Sequence, residues 1–166
     1  MPENQEKKYL TPYVSEVIKL GTNAEEIGKF IAKVLKLPQN IQNIFRNFST
    51  AEYITDNLAL SFGLNVSQTE ELTRILKDVL LADLFWGDFP KTISARLQIA
   101  PDTAIQIVKA ITDGLLMPAL EDIKAMQKEK FSNRISQSQT NQAQTQPPQQ
   151  NINPEQGNVI NLRNQK

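Results

Sequence analysis

The sequence predicts an all-α protein: a single compact bundle of seven or eight short helices followed by a disordered Gln/Asn-rich C-terminal tail. Three observations point there. Apolar residues recur at i, i+3, i+4 and i+7 through the first 131 positions, and no alternating run or Asn-Gly turn joins β-rich stretches. Ser, Thr, Asn and Pro open most of the periodic segments, and Gly or Pro closes several of them. From Ser132 the composition switches abruptly to Gln, Asn and Pro, with almost nothing to bury.

Residues 1–9 are polar and predicted flexible. Thr11-Pro12 reads as an N-cap with proline at the first helical position, opening a short helix that closes at Gly21. Asn23 and Glu26 then frame a second helix, with Ile27, Phe30, Ile31 and Val34 as its buried stripe. Pro38 stops it and opens a third, carried by Ile41, Ile44, Phe45 and Phe48. Ser49 with Glu52 predicts a capping box for a fourth helix (Ile54, Leu58, Phe62) that runs to Gly63.

The chain is organised around Thr69 to Phe89. Leu72, Ile75, Leu76, Val79, Leu80, Ala82 and Trp86 share one helical face, with Glu70, Glu71, Arg74, Lys77 and Asp78 opposite. Ser67 reads as its N-cap, Gly87 as its left-handed close and Pro90 as its stop. A short helix over 90–97 and a longer one from Pro101 follow, the latter with Ala104, Ile107, Val108, Ile111 and Leu115 inward. Pro118 should bend or break that helix, and Gly114 removes a side chain at the bend.

The domain therefore spans residues 10–131, the spacer 132–156 and a candidate linear motif 157–166. Val159, Ile160 and Leu162 reappear there, followed by Arg163, where no fold needs apolar residues. Such a cluster suits addition to a sheet edge, and a spacer of about 25 residues spans roughly 25–30 Å.

Composition narrows the chemistry. There is no Cys and no His, so thiolate chemistry, Cys-type zinc and the usual neutral-pH base are absent. Lys plus Arg and Asp plus Glu both number 18, which argues against a phosphate-backbone or anionic-membrane binder. The N-terminus carries no signal-peptide h-region and no apolar run approaches the length of a bilayer span, so a cytoplasmic location is expected. No cofactor or metal motif is present. Gly21 to Lys29 fails as a phosphate loop in its glycine spacing and its two glutamates. Asn47-Phe48-Ser49 and Asn65-Val66-Ser67 match glycosylation acceptors by chance.

Asp83 falls on the apolar face, either reaching water near the helix end or buried with a raised pKa as a site. Trp86 and Phe89 form an aromatic corner that is either core or, if exposed, a partner hot spot. Residues 93–111 have helix-turn-helix spacing, yet Gln98 stands at the turn where Gly is usual and Asp102 opens the second helix. The expected function is a non-enzymatic interaction module with an unknown protein partner, its oligomeric state open. A nucleic-acid-binding regulator is the alternative, and an enzyme would need a deep polar pocket around Asp83.

The succession TAEYI, GLNVSQTEEL, DVLL, DFPKTISARLQIAPDTAIQIVKAI and LLMPALEDI is similar to small helical proteins of ultra-small candidate-phyla-radiation bacteria. Arg96-Leu97-Gln98-Ile99 and Pro118 carry the likeness, which covers roughly half the chain (residues 50–126). The resemblance implies one compact helical domain and no assigned activity.

Overall fold

The computed structural model describes residues 8–143, with side-chain surroundings through residue 135. All regular structure among them is helical, in seven continuous helical runs. The first, α1 (Pro12–Leu20), starts where the Thr11 hydroxyl accepts from the Val14 amide at 3.1 Å and ends at left-handed Gly21. α2 (Ala24–Leu35) is capped by Asn23, whose carboxamide oxygen accepts from the Glu26 amide. Pro38 then leads into α3 (Gln39–Arg46).

Two predicted caps move. Asn47, not Ser49, caps α4 (Phe48–Glu52), its side chain accepting from the Ser49 amide at 3.0 Å. Asn65, not Ser67, caps the central helix, here α6 (Val66–Leu80), in a reciprocal capping box with Gln68. An N-cap needs extended backbone, which Asn47 and Asn65 have, while Ser49 and Ser67 already lie inside the first turn. Both apparent glycosylation acceptors are thus helix caps.

The central helix also ends earlier than expected. The Asp83 amide donates to Asp78 O and the Ala82 amide to Val79 O, with Ala82 at φ 52. That is a Schellman ending after Leu80, made with alanine in the left-handed position that usually takes glycine. Gly87, the expected terminator, lies in a 3₁₀ turn (Trp86–Asp88) that leads into α7 (Phe89–Leu97).

Two helices change type midway. Between α4 and α5 (Ala59–Phe62) the chain is π-helical over Tyr53–Leu58, and after α8 (Pro101–Ile111) it is π-helical over Thr112–Leu116. The second stretch meets Pro118 in a 3₁₀ turn, Met117–Ala119, before α9 (Leu120–Ala143). The expected disturbance at Pro118 is therefore a change of helical pitch, as a proline without an amide requires.

The compact unit ends at Ser132, beside Phe131, whose φ of −119° and ψ of 26° interrupt α9. Helical backbone continues to Ala143. Residues 1–7 and 144–166, with the expected flexible N-terminus, the rest of the spacer and the candidate motif of Val159, Ile160, Leu162 and Arg163, lie outside the described residues.

The core gathers on α6. Leu72, Ile75, Leu76 and Leu80 are fully buried, against Ile41 and Phe45 of α3, Ile54 and Leu58 of the first π segment, and Phe89, Ile93 and Leu97 of α7. Among the described residues one helical run, 101–135, is long and apolar enough to cross a membrane by length and composition. That corrects the expectation that no such run exists. Its Ala104, Ile107, Ile111, Leu116 and Ala119 are buried in the helical core.

Candidate functional site

Asp83 lies beyond the end of α6, so its side chain is turned outward from the face on which a longer helix would have placed it. It is exposed and bridges two helices: Lys33 of α2 at 2.8 Å and Lys130 of α9 at 2.8 Å. Partial burial pushes its carboxyl up, but the hydrogen-bonded ammonium groups of Lys130 and Lys33 outweigh this and hold it below its ordinary 3.8. The buried, raised-pKa alternative is corrected: Asp83 is an ionised tie between elements.

The same early ending sends the aromatic corner inward. Phe89 is fully buried, which removes it as a partner hot spot. Trp86 is half-buried on the core, 5.7 Å from the Phe89 ring centroid. Its backbone amide donates to the Gln127 carboxamide at 2.9 Å, while the Gln127 amide donates to Leu84 O. One buried glutamine thus clamps both sides of the bend.

The helix-turn-helix-like segment does form a turn. Gln98 adopts φ 56°, closing α7 without glycine, and the Ser94 hydroxyl donates to Ile99 O at 2.8 Å. Arg96 is paired to Glu71 and Asp78, and Asp102, Gln106 and Lys109 are exposed along α8.

The feature with most surface chemistry lies elsewhere, where α1, α3 and α4 meet. Tyr9, Thr11, Tyr13, Val14, Arg46 and Phe48 line an open groove of about 510 Å³. Tyr9, Val14 and Phe48 are 38%, 41% and 57% exposed, high values for apolar side chains. The Tyr9 and Phe48 rings pack at 5.8 Å between centroids, and the Tyr9 hydroxyl donates to Asp56 at 3.2 Å. The Arg46 guanidinium lies over the Tyr13 ring, 5.4 Å from its centroid, while Tyr13 itself packs on Phe30. The walls are therefore held by the fold. Spacing predicts Phe48 among the apolar positions of the third helix, but that helix ends at Arg46, and extended Asn47 starts α4 with Phe48 exposed.

A second groove of about 440 Å³ runs between α3 and the second π segment, with the exposed amides of Asn40, Asn43 and Asn47 along it. The first already donates to Asp122, the second accepts from Gln39 and the third caps α4. No group of acidic side chains among the described residues is arranged to hold a metal ion. No protein-family model, curated protein or solved structure matches the chain.

Proposed function

We propose that this protein is a non-enzymatic protein-interaction module, with the helical domain presenting a preformed groove and residues 157–166 acting as a tethered docking peptide. The observation that carries this is the concentration of exposed Tyr9, Val14 and Phe48 around Arg46. Aromatic and arginine side chains in a rigid recess are what protein interfaces enrich at their energetic centres. Quantitative co-purification tests it. Either Phe48→Ser or deletion of residues 158–166 should strip a bound protein from the chain while leaving the melting temperature unchanged. A fall in melting temperature on the deletion would mean that the segment packs on its own domain.

The left-handed turn at Gln98 supports one other reading, a nucleic-acid-binding regulator using residues 93–111. Retention on heparin at low salt that falls steeply as salt rises would favour it. With Arg96 held by two carboxylates, weak retention is the expected result.

A further inference from the structure

We infer that the groove between α1, α3 and α4 receives an acidic, apolar linear peptide, its carboxylate held by Arg46 and an adjoining aromatic or branched side chain seated against Tyr9, Val14 and Phe48. This rests on the interaction-module reading and names the chemistry of the ligand.

The arginines of the bundle behave differently from one another. Arg74 lies 3.0 Å from Glu71 and 3.6 Å from Glu70, and Arg96 holds Glu71 and Asp78. Arg46 is exposed and pairs with no carboxylate among the described residues; its guanidinium lies over the Tyr13 ring instead. A contact with a ring face uses up no N–H donor, so the guanidinium keeps its donors for a ligand. Its planar fork matches the two oxygens of a carboxylate.

The backbone adds to the same sign of charge. α1 begins at the groove, with Thr11, Tyr13 and Val14 in its lining, and no acidic residue occupies its first turn. The positive end of the helix dipole therefore faces the recess alongside Arg46. The nearby carboxylate of Asp56 accepts from the Tyr9 hydroxyl, which fixes the ring that forms one wall.

The remaining lining is apolar or aromatic, so a purely acidic ligand would leave it uncovered. A nucleic acid or a multiply phosphorylated segment would need several cations, and the groove has one. A single carboxylate beside one or two apolar side chains satisfies both parts of the recess, and its volume lies in the range of small-ligand sites.

The test is selection of a random peptide library displayed on phage against the full chain, followed by affinity measurements with a synthetic peptide of the enriched consensus. The expected consensus places Asp or Glu next to Phe, Trp, Leu or Ile. Arg46→Gln and Phe48→Ser should each weaken that peptide by about tenfold or more, and Arg46→Lys should restore only part of the loss. Replacing the acidic residue of the peptide by lysine should produce the same loss on the parent protein, a readout independent of how the variants fold. A consensus without a carboxylate, no enrichment at all, or affinity indifferent to both substitutions would overturn the inference. Enriched peptides that ignore the groove would leave the module reading standing, because they bind elsewhere on the same chain.

Discussion

A β-carbon on Gly114 would lie 2.0 Å from the Tyr53 hydroxyl oxygen and 2.4 Å from the ring carbon that bears it. That hydroxyl donates to Ala110 O at 2.9 Å, so the glycine is a seat for the Tyr53 ring where two π-helical segments face each other. Gly114→Ala should cost about 1–3 kcal/mol in urea denaturation, because the ring and its hydrogen bond must move. Gly28 in α2 meets nothing, and Gly28→Ala should instead gain roughly 0.5–1 kcal/mol. Equal effects would remove the steric account.

Lys77 carries a different constraint. Its ammonium lies 3.1 Å from Glu16 and 2.8 Å from Asp78, with the Lys77 and Glu16 side chains only 12% and 11% exposed. Burial pushes its pKa down, and the hydrogen bonds and charges of Asp78 and Glu16 reverse this, leaving it above the ordinary 10.5. Lys77→Met should cost roughly 3 kcal/mol by leaving Glu16 only the more distant Lys19, 3.8 Å away, and adding Glu16→Gln should recover most of it. The pH dependence follows from the signs. A raised lysine stabilises fully below 10.5 and loses its contribution as pH climbs through the folded value. The lowered Asp83 stabilises above 3.8 and loses its contribution as pH falls through its folded value. Asp83→Asn should flatten the acid limb and leave the alkaline limb intact.

Among the elements, α6 has a core face set by spacing and ends set by competing caps. Its stripe of Leu72, Ile75, Leu76 and Val79 follows directly from spacing, and every one of them is buried. Its ends do not. Asn65 and Ser67 are both good caps, and Asn65 prevails because its backbone is extended and Gln68 can reach back to it. Asn65→Ala should cost about 1 kcal/mol, and Ser67→Ala less than about 0.5 kcal/mol, in thermal or urea melts. The reverse order would restore Ser67 as the cap. At the other end a search for glycine points to Gly87, but the helix closes on Ala82. Burial of Leu81 and Ala82, together with the Gln127 clamp, holds that turn.

The helical unit that ends at Ser132 should unfold cooperatively around α6. Leu76 is fully buried, and Leu76→Ala should cost roughly 2–5 kcal/mol. Trp86 is the single tryptophan, half-buried on the core and tied through Gln127 to α9. Its fluorescence and the far-UV circular dichroism should therefore share one midpoint in the parent and shift together in Leu76→Ala. Separate midpoints would mean that the bend at 81–88 opens independently of the bundle.

By itself the sequence determined the all-α class, the inward stripes of α6 and α8 and the starts of α1, α2 and α8, because periodicity, caps and prolines act over a few residues and are local. Tertiary structure decided what depends on competition between such local signals or on a distant partner. It chose Asn47 and Asn65 over Ser49 and Ser67, ended α6 after Leu80, buried Phe89 and set Asp83 between two lysines. The groove belongs to this second kind. Tyr9, Val14, Arg46 and Phe48 come from separate segments, and no spacing rule links them. Only the packing of α1 against α3 brings these aromatic side chains and the Arg46 guanidinium into the lining of one recess.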